Sequence, residues 1–188
     1  MTAVLPSVAL DMDQARTVML VLGGVRSGKS HYAQAEASRF ARVTFVATAQ
    51  RSDAEMRRRI AIHRRERPRD WKTVEARTGL DRIIRREGAS TDLLLVDCLT
   101  TYCAGQLSRH GVSRAQRRHL ASVVEAIDTT CASVFLVSNE VGSGVVPAFK
   151  SGRLYRDLLG ELNQQVARVA NQVILLVAGI PVAIKGPL

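Results

Sequence analysis

The segment Gly23-Gly24-Val25-Arg26-Ser27-Gly28-Lys29-Ser30 carries the clearest chemistry in the chain. It fits the pattern G-x-x-x-x-G-K-[ST] at every position. Each residue type answers a physical need of phosphate binding. Glycines let the backbone curl so that its N–H groups turn inward on an anion. A helix opening at Gly28 adds unsatisfied N–H groups and the positive end of its dipole. Lys29 is placed to reach the β- and γ-phosphates of ATP or GTP, and the Ser30 hydroxyl to ligate Mg2+. The pattern needs a strand before it and a helix after it, and Val18 to Leu22 and Lys29 to Phe40 supply both. The bland alternative is a Gly-rich turn with a coincidental lysine.

A second acidic element accompanies the loop. Leu93-Leu94-Leu95-Val96-Asp97 is an apolar strand ending in a carboxylate. Taken alone, such an aspartate is usually a helix cap or turn residue. Beside a phosphate loop it is the group expected to hold Mg2+ directly or through water. Ligands of open parallel sheets bind outside the carboxyl ends of the strands, where Asp97 falls.

Of the four histidines, His31, His110 and His119 read as surface or packing residues. His63 differs, because Arg59, Arg64, Arg65 and Arg67 surround it. On a helix Arg59 and His63 share a face, with Glu55 one turn earlier. A neutral imidazole nitrogen attacks phosphorus competently, and nearby guanidiniums keep it unprotonated while neutralising phosphate. The same residues also describe a solvated basic helix.

These groups need a scaffold to position them. Short β-branched apolar runs read as buried strands at Val18 to Leu22, Val43 to Thr48, Leu93 to Asp97, Val134 to Ser138 and Val173 to Val177, with a last one at Val182 to Lys185. Helical periodicity covers Lys29 to Phe40, Asp53 to Arg65, Leu80 to Arg86, Thr100 to Arg109, Arg114 to Thr130 and Leu154 to Ala170. Strands apolar on both faces and separated by helices predict a mostly parallel sheet covered on both sides. The fold class is therefore α/β, a three-layer P-loop NTPase fold of the RecA-like kind. Residues 17–188 form one nucleotide-binding domain, and 1–16 a flexible extension.

Composition narrows the class further. The 188 residues include 27 Lys and Arg against 17 Asp and Glu, a net charge of +10 that favours anionic partners. Aromatics are only 4% and are not interleaved with the arginines, as a stacking platform for single strands requires. The three cysteines, Cys98, Cys103 and Cys131, form no CxxC pair and no zinc spacing, which fits a reduced, cytoplasmic setting. No apolar run is long enough to span a membrane, and the first residues do not read as a signal peptide.

Several segments in order resemble the adenosylcobinamide kinase / adenosylcobinamide-phosphate guanylyltransferase family of cobalamin biosynthesis. They are Gly23 to Ser30; Ala47-Thr48; Asp53-x-Glu55-Met56; Arg59-Ile60-x-x-His63; Arg67-Pro68-x-x-Trp71-x-Thr73-x-Glu75; Asp97-Cys98-Leu99-Thr100; Ser138 to Pro147; Tyr155-Arg156-Asp157; and Gly160 with Asn163-Gln164. The resemblance runs from about Val18 to Lys185. It implies a kinase step with ATP or GTP on the aminopropanol arm of adenosylcobinamide, then transfer of GMP from GTP to that phosphate. It also implies that the second step passes through a guanylylated histidine at His63. It places nucleotide contacts on Gly23, Gly24, Val25, Arg26, Ser27, Gly28, Lys29 and Ser30, on Thr48, Ala49 and Gln50, on Arg64, Arg65, Glu66 and Arg67, and on Glu75 and Asp97. A homo-oligomer such as a trimer is implied as well. Chemically, Glu75 suits the N1 and N2 donors of guanine. Asn139 to Pro147 suits a loop closing over ligand, Arg153 and Arg156 a phosphate contact, and Asp157 a pair within its helix. The family's usual Asn-Leu is replaced by Gly105-Gln106, which predicts a loosened helix.

Two other readings compete. A single-function small-molecule kinase would use Arg59 to Arg67 as a phosphate-clamping lid. A nucleic-acid-binding ATPase would use the +10 charge and show steep salt dependence.

Overall fold

The computed structural model describes residues 16–49, 58, 67–107 and 112–188. Its centre is β1 (Val18–Gly23), a run of apolar residues with no polar face to offer water. Such a strand has to be paired on both sides and covered on both faces. It pairs in parallel with β5 (Ser133–Val137) and with β6 (Gln172–Val177). Outward from β5 follow β4 (Leu93–Asp97), β2 (Val43–Ala47) and β3 (Lys72–Glu75), all parallel. The sheet order is β3-β2-β4-β5-β1-β6-β7, and β7 (Ile180–Lys185) is its antiparallel edge.

Alternation along the strands divides the core in two. Val18, Leu20, Leu94, Val96, Val134 and Leu136 point to one face, covered by α2 (Leu80–Gly88), α3 (Leu99–Gly105), α4 (Arg114–Thr129) and α5 (Lys150–Val169). Met19, Val21, Leu93, Leu95, Phe135 and Val137 point to the other, against Ala33 and Ala37 of α1 (Lys29–Ala37) and Trp71. Apart from residue 58, the helix expected at Asp53 to Arg65 lies outside the described residues.

The differences from the sequence reading have local causes. β3 is a four-residue edge strand, Lys-Thr-Val-Glu, mostly open to solvent, so it carries no apolar run to read. α5 begins at Lys150 rather than Leu154, because Gly152 in its first turn packs on Pro147, where a Cβ would lie 2.7 Å from the proline Cβ. α3 ends at Gly105, so this glycine closes the helix instead of loosening its middle. β7 starts two residues early, through a two-residue turn at Ala178 and Gly179, both at positive φ as such hairpins require. Pro181 is tolerated there because the strand is an edge.

α4 is fixed at both ends. Ser113 and Gln116 form a capping box, the Ser113 hydroxyl accepting from the Gln116 N–H at 3.2 Å. At its other end the Arg16 guanidinium donates to the carbonyls of Ile127, Asp128 and Thr130. Cationic donors on the last carbonyls complement the helix dipole. Arg16, placed with the extension on sequence grounds, thus makes contacts with the folded domain.

Candidate functional site

Five strand ends and the turns that follow them form a cleft of about 500 Å3 at the carboxyl edge of the sheet. After β1 the chain enters the loop Gly24 to Gly28, and the direction of the turn is set by a close approach. A Cβ on Gly23 would lie 2.3 Å from Ser27 Oγ and 2.8 Å from the Leu176 carbonyl oxygen, so only glycine fits. Gly28 sits at φ 94° and starts α1 without any side-chain cap. The N–H groups of the first turn therefore remain for an anionic ligand. Arg26 adopts φ 58°, an unusual conformation for a residue with a Cβ. Behind the loop, the Gly179 N–H donates to the Ser27 carbonyl at 3.0 Å, so the β6–β7 turn backs it.

Val25, Arg26, Ser27, Gly28, Lys29 and Ser30 line the cleft, whereas Gly23 and Gly24, expected as nucleotide contacts, do not. Lys29 Nζ donates to the Gly24 carbonyl at 2.8 Å. Burial pulls its ammonium below the usual lysine range, and the Asp97 carboxylate offsets part of that shift. The Ser27 hydroxyl is buried with no hydrogen-bond partner among the described residues, and it too lines the cleft.

Asp97 and Ser30 line the same cleft. One carboxylate and one hydroxyl are hard oxygen donors, which suit Mg2+ held jointly with substrate phosphates. No group of three or more His, Cys, Asp or Glu residues gathers among the described residues, so a cation cage made of protein alone is not found there. The donor set fits Mg2+ held on a nucleotide.

Thr48 is placed differently from the sequence expectation. It is 1% exposed and does not line the cleft. Its N–H donates to the Asp97 carbonyl at 3.3 Å. Its hydroxyl accepts from the Cys98 N–H at 2.7 Å and lies 2.7 Å from both the Cys98 carbonyl and Thr101 Oγ1. Thr48 thus ties the end of β2 to the turn that carries Asp97.

At the far end of the cleft stand Ala47, Ala49, Phe45, Arg67 and Glu75. The Arg67 guanidinium carbon lies 3.5 Å from the centroid of the Phe45 ring, a cation–π contact. Glu75 forms an ion pair with Arg77 at 3.0 Å, both about half exposed. Four strand spacings separate β1 from β3, about 19 Å, comparable with the length of an extended nucleoside triphosphate. Gln50, His63, Arg64, Arg65 and Glu66 lie outside the described residues.

Asn139, the start of the loop expected to close over ligand, lines the cleft, and so do residues that the sequence reading did not assign to it: Cys98, Thr100, Thr101, Val137 and His31. Cys98, Thr100 and Thr101 follow β4 directly, and the rule that ligands bind beyond the carboxyl strand ends could have found them. Burial pushes the Cys98 thiol up, with the Asp97 charge adding to it. Thr100 Oγ1 accepts from the Asn139 N–H at 2.8 Å, and Asn163 Nδ2 donates to the Asn139 carbonyl at 3.1 Å. Arg153, expected at phosphate, donates instead to the carbonyls of Pro147 and Ala148 at 2.9 and 2.7 Å. His119 packs as expected, with Nε2 2.5 Å from the Tyr102 hydroxyl. The basic residues Lys72, Arg85 and Arg86 pair with Glu87 and Glu125.

Comparison with known proteins bears on this arrangement. The sequence profile described as cobinamide kinase / cobinamide phosphate guanyltransferase matches residues 19–184. The bifunctional adenosylcobalamin biosynthesis protein CobU of Escherichia coli (strain K12) is 38% identical over 180 residues, covering 89% of this chain and 99% of that protein. The bifunctional adenosylcobalamin biosynthesis protein CobP of Pseudomonas aeruginosa is 40% identical over 168 residues, with 89% and 96% covered. Among solved structures, an ATPase from the type III secretion system of pathogenic bacteria superposes with a TM-score of 0.54 at 13% identity, over 86% of this chain and 51% of that one. This chain spans about half the length of that ATPase. A protein of Pyrococcus horikoshii OT3 superposes with a TM-score of 0.55 at 7% identity, over 93% of this chain and 89% of that one. At these identities the structural likeness speaks to the P-loop NTPase fold. No helix among the described residues is long and apolar enough to cross a membrane.

Proposed function

The chain belongs to the cobinamide kinase / cobinamide phosphate guanyltransferase family, and from that premise we propose a two-step reaction with a covalent intermediate on His63. In the first step the hydroxyl oxygen of the aminopropanol arm of adenosylcobinamide attacks the γ-phosphorus of ATP or GTP. The bond to the β–γ bridging oxygen breaks, and the nucleoside diphosphate leaves. In the second step an imidazole nitrogen of His63 attacks the α-phosphorus of GTP and pyrophosphate leaves. A phosphate oxygen of adenosylcobinamide-phosphate then displaces the imidazole, giving adenosylcobinamide-GDP.

The observation that carries this reading is the single cleft joining the phosphate loop, Asp97, Arg67 and Glu75. The N–H groups at the start of α1 and the Lys29 ammonium bind the phosphates, Lys29 exchanging the Gly24 carbonyl for phosphate oxygen. The buried Ser27 hydroxyl donates to a phosphate oxygen. Ser30 and Asp97 are the residues that would hold Mg2+, which when bound neutralises charge on the phosphate oxygens. Glu75 accepts from N1 and N2 of guanine, and Arg67 lies beside it at the same end. Phosphate charge beside the Lys29 ammonium opposes the lowering of its pKa by burial and keeps the side chain cationic.

Intact-mass measurement after exposure to GTP and Mg2+ tests the covalent step. A GMP adduct that is acid-labile and base-stable is expected of a phosphoramidate. His63→Ala should abolish the adduct while sparing phosphorylation of the acceptor. A mutant that is labelled normally removes His63 as the nucleophile. Absence of pyrophosphate release from GTP and phosphorylated acceptor would leave a single-function kinase.

A further inference from the structure

We propose that the loop between β5 and α5 seats the corrin macrocycle of the acceptor, through Val145, Val146 and Phe149. This rests on the proposed function above, since it takes cobinamide as the acceptor. The cleft at the phosphate loop measures about 500 Å3, room for one ligand of ordinary size. A nucleoside triphosphate fills it. A corrin ring with its amide arms is larger than the nucleotide, so it has to rest outside the cleft with only its hydroxyl-bearing arm entering.

The loop that leaves the cleft at Asn139 carries an unusual surface. Val145 is 95% exposed, Val146 59% and Phe149 80%, three large apolar side chains within five residues. Large apolar side chains this exposed and this close in sequence are the kind of surface that marks an interaction site. Val25, on the phosphate loop at the cleft itself, is a further exposed apolar residue. Corrin faces carry methyl and methylene groups, and the amide arms are uncharged, so an apolar platform matches them.

Polar contacts hold the loop in this presentation. Its base is joined to the site: the Glu140 N–H donates to the Gly23 carbonyl at 3.1 Å, and the Asn139 N–H to Thr100 Oγ1. Its far end is clamped by the Arg153 guanidinium on the carbonyls of Pro147 and Ala148. Gly152 lets Pro147 press onto the first turn of α5. A guanidinium and a glycine thus fix the backbone, while the apolar side chains face water.

Cobinamide absorbs visible light, so equilibrium dialysis reads its binding directly. The test uses wild type, Phe149→Ala and the double variant Val145→Ser/Val146→Ser, each with a non-hydrolysable GTP analogue and Mg2+. These side chains are exposed, so the variants fold. Each should weaken cobinamide binding about tenfold, the loss of one well-covered apolar side chain. Affinity for the GTP analogue and the sedimentation coefficient should stay unchanged. Unchanged cobinamide binding overturns the inference. Loss of binding only together with dissociation of an oligomer also overturns it, by assigning the patch to a second copy of the chain. In a parallel reaction with GTP in place of the analogue, wild type that binds cobinamide but transfers no phosphate to it counts against the proposed function alone.

Discussion

Replacing Thr48 by valine keeps the shape of the side chain and removes its hydroxyl. In the native chain that hydroxyl accepts from the Cys98 N–H at 2.7 Å and sits 2.7 Å from the Cys98 carbonyl and from Thr101 Oγ1. Thr101 Oγ1 still reaches the Cys98 carbonyl at 3.1 Å, so the carbonyl keeps a partner. The Cys98 N–H loses its acceptor at a site closed to water by the 1% exposure of Thr48. An unsatisfied buried donor costs about 2 kcal/mol. For a chain of this length that lowers Tm by roughly 4–8 °C. Because Cys98 follows Asp97, the carboxylate moves with the turn. A misplacement of about 1 Å in a catalytic group lowers kcat by up to about 100-fold. Thr48→Ser keeps the hydroxyl and should restore most of both quantities. Thermal melting and steady-state phosphorylation of cobinamide at varied ATP provide the measurements. A valine variant that melts like wild type but shows a raised KM for nucleotide alone would refute the reasoning. It would make Thr48 a nucleotide contact, as the family resemblance implies.

Three further predictions follow from the same geometry. Gly23→Ala places a Cβ 2.3 Å from Ser27 Oγ and 2.8 Å from the Leu176 carbonyl oxygen, so the loop must shift; stability should fall by about 1–3 kcal/mol with weaker nucleotide binding, read by melting with and without GTP. Glu75→Gln replaces two acceptor oxygens by one oxygen and an NH2 group, and should lower the ratio of kcat/KM for GTP over ATP by about 10-fold to 100-fold; an unchanged ratio removes Glu75 from base recognition. Glu87 is 4% exposed, and its hydrogen bond to Lys72, followed by that to Arg86, holds its carboxyl below the usual range against the opposing effect of burial. A carboxyl depressed on folding stabilises above its unfolded pKa of about 4.5, and the contribution is lost as pH falls through the lower folded value. Glu87→Gln should therefore cost roughly 1 kcal/mol at neutral pH, discounted because Lys72 is largely exposed, and the difference in urea midpoints should shrink at acid pH.

Much of the scaffold is legible in the residues because burial on both faces leaves a mark. Leu93 to Asp97 has no polar member before its last residue, and only a central parallel strand takes such a run. β3 leaves no such mark, since an edge strand exposed on both faces needs only to pair its backbone with Thr44 to Ala47. The loop Gly23 to Ser30 is readable because phosphate imposes its residue types directly. The role of Thr48 is not, because the direction of its hydroxyl depends on β2 and β4 lying side by side, a pairing fifty residues apart in the chain. Gly105 misleads for a related reason: whether a glycine interrupts or ends a helix depends on where the chain turns next. Arg85 and Arg86 form a solvated basic face, and their partners lie on the same helix or its neighbour.

The hairpin of β6 and β7 gives the phosphate loop something to lean on. One hydrogen bond from Gly179 to Ser27, and the tight contact of Gly23 with Leu176, are the joints of that support. The outer member of the hairpin is the last strand of the sheet, with Ile180, Val182 and Ile184 facing outward. Mechanically this is a cantilever: a force applied to the free rim of β7 travels along the turn at Ala178 and Gly179 and arrives at the peptide that cradles phosphate.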